Sequence, residues 1–232
     1  MTFTLNDVVP WGRSYDEYAR MFALREQDLR RRIIGCADGP ASFNAEATRR
    51  GARVVSCDPL YAFGAEEVRE RIDATSPEIL EQTRKNAATF VWNTIASVDE
   101  LGIVRKAAMT TFLDDYERGL EERRYIAAAL PDLPFQDGAF DLALCSHFLF
   151  LYSERLGSDF HVDAARELCR VAGEVRIFPL LSLAGERSPF VDLVSAALAR
   201  SGMEVSLEVV PYEFQRGGNQ MMRIRPGRVS AG

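Results

Sequence analysis

The chain has 232 residues, 47% of them hydrophobic, enough for one α/β domain with a sizeable core, since single domains of this class run to roughly 200–250 residues. Its formal net charge of −6 argues against the broad basic surface that salt-sensitive nucleic-acid binding needs. No apolar run approaches the roughly 20 residues of a membrane span, and the first ten residues lack the basic start and apolar core of a secretory signal. Cys36, Cys57, Cys145 and Cys169 fall in apolar patterns without CxxC spacing, so they read as buried thiols of a reducing cytoplasm rather than disulfides or metal ligands. No metal and no membrane partner is expected, and composition sets no oligomeric state.

From Ser14 a helix is predicted, because Ser14 is an N-cap, Glu17 completes a capping box, and Tyr15, Tyr18, Ala19 and Phe22 share a face. A short helix over 26–31 follows, ending in Arg30, Arg31 and Arg32, whose charge suits a helix C-terminus. Residues 1–31 thus read as an N-terminal helical segment. Ile33 and Ile34 belong to the first strand, 42–50 is a helix closed by Gly51, and 53–57 is the second strand. This is half of a nucleotide-binding crevice, in which ligands lie beyond the carboxyl ends of parallel strands. Asp58 follows Gly39 by 19 positions, near the spacing at which a carboxylate accepts ribose hydroxyls. The plain alternative is that Asp58 opens a turn before Pro59.

Between 64 and 122 the pattern is helical and longer than one crossover of about a dozen residues requires. Ser76-Pro77-Glu78 reads as a helix start, with Ile79, Thr83, Ala87, Phe90 and Val91 at helical spacing, and a further helix covers 107–123. The surplus is predicted to form a helical cap beside the crevice. A short third strand lies at 125–128, and the fourth, 140–146, is apolar enough for burial on both faces. Ser158 is expected to cap a helix carrying Phe160, Ala164, Leu168 and Val171, with His161 at the surface. The fifth strand is 174–178, Ser188-Pro189 opens a helix ending at Gly202, and 204–210 and 220–224 form a closing pair of strands. Such a closing pair does not suit a six-parallel-strand dinucleotide sheet. Phe43, Phe63, Phe90 and Trp92 are assigned to core and cap packing.

After about residue 30 the chain resembles the class I S-adenosylmethionine-dependent methyltransferases over nearly its full length. The resemblance is carried by the turn from Ile33 to Ala41, by Asp58, and by Leu133-Pro134-Phe135-Gln136-Asp137-Gly138-Ala139-Phe140-Asp141 entering the fourth strand. Arg166-Glu167-Leu168-Cys169-Arg170-Val171 before the fifth strand and the terminal pair of strands complete it. It implies a doubly wound, Rossmann-like α/β fold with seven strands, the last antiparallel. It also implies S-adenosyl-L-methionine as cofactor and a small-molecule methyl acceptor. The implied cofactor site comprises Cys36, Ala37, Asp38 and Gly39 in the first turn, Asp58 and Pro59, Ala129 and Leu130 before the LPF segment, and Cys145 near the end of the fourth strand. Where the family carries an acidic residue and three alternate glycines, this chain has Gly35, Ala37, Gly39 and Ala41. Ala129 stands where a polar residue often meets the adenine edge, which leaves adenine to backbone groups.

A dinucleotide pyrophosphate needs bare backbone N–H groups, so the missing glycines and Asp38 oppose it. S-adenosylmethionine instead presents a sulfonium and an ammonium, which Asp38 attracts, and a carboxylate. Arg13 lies in the segment 8–13, which would fold over the turn and offer its guanidinium to that carboxylate; otherwise it stays solvated. His147, just past the fourth strand, is the candidate catalytic base, with Tyr152 as its orienting group. The plain alternative is a hydrogen-bonded structural histidine beside the apolar run 148–151. A second functional reading keeps the fold without catalysis, binding a nucleoside-like ligand or a protein partner. A dehydrogenase is disfavoured by Asp38 and by the LPF entry.

Overall fold

The computed structural model describes residues 9–227, so the reading of residues 1–8 as lacking a signal lies outside the described residues. The strands are β1 (Arg32–Cys36), β2 (Arg53–Cys57), β3 (Tyr125–Ile126), β4 (Leu142–Ser146), β5 (Val175–Phe178), β6 (Met203–Val209) and β7 (Gln220–Pro226). They form one sheet in the order β3-β2-β1-β4-β5-β7-β6, parallel except for β7, which runs antiparallel to both β5 and β6. This is the seven-stranded Rossmann-like sheet with an antiparallel last strand that the sequence implies. Chain order reverses between β1 and β4, so their carboxyl ends frame the ligand crevice.

Alternation along each strand separates two cores. Ile34, Ala143 and Cys145 face one side, where α6 (Ser158–Val171) and α7 (Val191–Arg200) supply Ala164, Leu168, Val191 and Val194. Ile33, Leu142 and Leu144 face the other, with Tyr18, Phe22 and Phe43 from α1 (Tyr15–Met21), its C-cap and α3 (Phe43–Arg49). Burying each such aromatic contributes roughly 1.5–3 kcal/mol. The capping box is present: Glu17 N–H donates to Ser14 Oγ while Ser14 N–H donates to Glu17 Oε2. The second helix, α2 (Glu26–Leu29), stops short of the arginine cluster. Arg31 instead pairs with Asp28 and Glu174, and Arg32 with Asp141 at 2.7 Å, so these charges clamp strand starts rather than a helix end.

Several boundaries differ from the sequence reading. The proline does not begin a helix, because α4 (Ala65–Lys85) runs through Pro77. Proline forfeits one backbone bond there, but Val68, Ile72, Ile79 and Thr83 form a continuous buried stripe against α5 (Val98–Glu121). Just before the proline, Ser76 Oγ donates to Ile72 O at 2.6 Å. Phe90 and Val91 leave the helix altogether: Phe90 stacks on Phe214 at 4.9 Å and Val91 N–H donates to Phe214 O. The next helix, α5, begins nine residues before the expected one, just after the Ser97 cap. Gly157, not Ser158, caps α6, and His161 is fully buried against Phe190, because the first turn of α6 packs where α7 begins.

Candidate functional site

After β1 the backbone enters the left-handed region twice, at Ala37 (φ +56°) and Gly39 (φ +51°). That geometry costs a non-glycine residue roughly 1–2 kcal/mol, so the turn keeps its shape at Ala37 despite the lost glycine. Gly35 has no such freedom to vary, since a Cβ there would lie 1.8 Å from Asp38 Oδ2. The Asp38 carboxylate folds back beneath the turn and accepts from Tyr18 Oη at 2.8 Å and Ser56 Oγ at 2.6 Å. Burial pushes its carboxyl up to about 6, against the lowering effect of those two hydroxyls. Asp38, which the sequence reading expected to attract the cofactor's positive groups, is a buried tie among α1, β1 and β2 rather than a solvated turn residue, and it lines the smaller of the two cavities at the strand ends.

Two cavities open at the strand ends. The larger, about 560 Å³, is lined by Cys36, Cys57, Pro59, Ala129 and Leu130, with Phe63 at one wall. Arg71 stacks over that Phe63 ring at 3.8 Å. The smaller, about 240 Å³, contains Arg13, Tyr18, Asp38, Ser146, His147 and Tyr152. Ala37, Gly39 and Asp58 line both. Asp58 also opens a turn, as the plain alternative held: Oδ1 accepts from Leu60 N–H at 2.8 Å and caps the 3₁₀ turn Pro59–Ala62. Oδ2 accepts from Gly39 N–H at 2.9 Å. Burial raises its carboxyl, opposed by those backbone bonds. Each oxygen retains a further lone pair for a ligand.

The segment before α1 lies on the turn, where a Cβ at Gly12 would meet Pro40 O at 2.0 Å and Ser42 N–H donates to Arg13 O. Arg13 donates from Nη1 to Trp11 O at 2.5 Å, while its buried Nε has no partner. Burial and the nearby Arg105 charge lower it to about 10. Among the described residues no carboxylate forms an ion pair with it. Across the crevice His147 holds φ +51° and donates its backbone N–H to Phe178 O. Its Nδ1 is 2.9 Å from Ser146 Oγ, and Ser146 in turn borders the Tyr18 hydroxyl. Burial, then Arg13 and Arg105, push the imidazole well below its ordinary range, so it is neutral at pH 7. With Nδ1 directed to Ser146, Nε2 is left for a ligand.

Two expected residues take other positions. Tyr152 lines the smaller cavity, but its hydroxyl meets the Val9 backbone, and Ser146 is the partner of His147. Cys145 lines neither cavity. It points to the α6–α7 core, where the following Leu149 and Phe150 cover it. Phe90, assigned to packing, does stack on Phe214, and it also walls the smaller cavity. Behind Arg13, Glu17 forms a buried bidentate pair with Arg105 and accepts from Tyr212 Oη at 2.8 Å. Burial alone would raise Glu17, but the Arg105 charge and hydrogen bonds hold it at about 2. Sequence reasoning missed Tyr18, Ser146 and Arg105 as site residues. Only Ser146 carried a signal, its position at a strand end beside His147.

No protein-family model matches the chain. The chain is 36% identical over 225 residues to the uncharacterized protein MJ0045 of Methanocaldococcus jannaschii, covering 95% of this chain and 97% of that one. Among solved structures it is similar to magnesium protoporphyrin IX methyltransferase (ChlM) from Synechocystis PCC 6803 with bound S-adenosylmethionine. That likeness has a TM-score of 0.50 at 10% identity, covering 92% of this chain and 78% of the other. The PH0226 protein from Pyrococcus horikoshii OT3 aligns at a TM-score of 0.49 and 12% identity, over 91% of each chain. The chain thus belongs to the family of the Methanocaldococcus jannaschii protein MJ0045, and its fold is that of the class I S-adenosylmethionine-dependent methyltransferases.

Proposed function

We propose that the protein binds S-adenosylmethionine across the two joined cavities and transfers its methyl group to a small-molecule acceptor. The observation that carries this reading is the order of chemistry along the crevice. Ala129 and Leu130 border only the larger cavity, Asp58 borders both, and the unpaired Arg13 borders only the smaller. That is the order adenine, ribose, carboxylate along the cofactor. The residues fit the group: Arg13 has a buried Nε without an acceptor, and Asp58 has spare lone pairs beside an apolar pocket. A pyrophosphate in the same crevice would meet Asp38 and Asp58 instead of donors.

When bound, S-adenosylmethionine supplies an electrophilic methyl on a good leaving group, so positioning and water exclusion provide much of the catalysis. His147 contributes an uncharged imidazole beside the cavity, whose Nε2 would take up the acceptor's proton while Nδ1 is held by Ser146. Ser146 and Tyr18 hold the imidazole's other nitrogen in place and link it to the buried Asp38. Calorimetric titration with S-adenosylmethionine, S-adenosylhomocysteine and NAD tests the proposal. The first two should bind with one-to-one stoichiometry; NAD binding more tightly than S-adenosylhomocysteine would overturn it.

A further inference from the structure

We infer that the methyl acceptor is an uncharged molecule with a single aromatic ring, or an apolar body of similar size, bearing one protic heteroatom. The inference rests on the cofactor reading above and concerns the part of the smaller cavity which that reading leaves free. Among the described residues the charged groups lining this cavity are Arg13, Asp38 and Asp58. None is available to an acceptor. Asp38 is held by the Tyr18 and Ser56 hydroxyls, while Asp58 turns its spare lone pairs to the cofactor's ribose and Arg13 faces the cofactor's carboxylate. A charged acceptor would be desolvated there without a counter-charge, which is strongly unfavourable.

The walls point to the acceptor's body. Beyond His147 the cavity is closed by Ile79, Leu101, Phe90, Phe214, Leu183 and Phe178. Much of the polar capacity nearby is spent internally, since Thr83 Oγ1 donates to Ile79 O and Asn86 Nδ2 to Gln82 O. At about 240 Å³, the space lies below the roughly 300–1,000 Å³ of pockets for drug-sized ligands, and the methionyl tail takes part of it. One ring remains. In the tautomer whose Nδ1–H donates to Ser146 Oγ, the uncharged His147 presents Nε2 to the cavity as an acceptor, which matches a heteroatom that carries a proton.

Three probes of one size separate these terms: p-cresol, which is neutral, 4-hydroxybenzoate, an anion, and tyramine, a cation. Each is titrated into protein saturated with S-adenosylhomocysteine, so that Arg13 is occupied, and binding is read from the fluorescence of Trp11, which lines the cavity. p-Cresol should bind at least about tenfold more tightly than either charged probe. Leu183→Arg, in a partly exposed wall position, should shift the preference toward 4-hydroxybenzoate. Equal or tighter binding of a charged probe to the parent protein, or no binding of p-cresol, would overturn the inference while S-adenosylhomocysteine binding leaves the cofactor reading standing. Failure of S-adenosylhomocysteine itself to bind removes both.

Discussion

Asp58 and Asp38 are neighbouring carboxylates with opposite duties. Asp58 keeps lone pairs for a ligand while tying Gly39 and Leu60, so its replacement must be conservative. Asp58→Asn keeps one oxygen for the backbone but loses the charge. Each charge-assisted bond to a ribose hydroxyl is worth roughly 1.5–3 kcal/mol, so affinity for S-adenosylhomocysteine should fall at least about tenfold, while the amide NH2, set against the Gly39 or Leu60 N–H, also lowers the melting temperature of the still-folded protein. Unchanged affinity in calorimetry would remove Asp58 from the cofactor site. Asp38, by contrast, carries a cost. Its folded carboxyl lies at about 6, above the ordinary 3.8, so its contribution to stability is complete below pH 3.8 and is lost as pH rises through about 6. Asp38→Asn should therefore show a flatter stability profile than the parent between pH 4.5 and 7, the difference reaching a few kcal/mol. Parallel urea-denaturation profiles would show that the carboxyl is not raised.

The helices around the crevice are joined by a buried ion pair. Glu17 on α1, Arg105 on α5 and Tyr212 in the β6–β7 connection meet where none is exposed by more than 7%. Breaking one partner strands the other charge, so Glu17→Gln should cost roughly 3–5 kcal/mol in chemical denaturation. A loss below about 1 kcal/mol would mean that water reaches Arg105. Since Glu17 is held at about 2, its contribution is present above the ordinary carboxyl range and disappears as pH falls toward 2, opposite in sense to Asp38. The same junction sets the charge behind Arg13 and His147, through Arg105. A residue that touches no ligand thus helps to keep the imidazole uncharged.

Across the whole molecule, α4 is the element most exposed to ligand events. Arg71, Ala74 and Thr75 border the larger cavity, and Ile79, Thr83 and Asn86 the smaller, so one helix spans both. Its C-terminal extension is pinned to the β6–β7 connection through Phe90 and Phe214. Amide exchange within Ala65–Lys85 should slow when S-adenosylhomocysteine is added and slow further with p-cresol, as for a lid that closes on its ligand. Exchange that is unchanged at saturating ligand would make α4 a fixed wall.

Much of this architecture was legible in the chain because it is written in local pattern. Ser14 and Glu17 mark a helix start three residues apart, β4 is a continuous apolar run, and Gly39 and Asp58 bracket the helix and strand that follow β1. What misled was local chemistry overruled by packing: the stripe of α4 outweighed Pro77, and α7 buried His161. Contacts between distant residues left no pattern to read. Glu17 and Arg105 stand 88 positions apart, Tyr18 and Asp38 twenty, and only the folded chain decides which carboxylate is buried and tied and which is left facing a ligand. Periodicity and capping act over a few residues along the backbone, whereas desolvation and charge pairing depend on what the fold brings within a few ångströms, wherever it lies in the sequence.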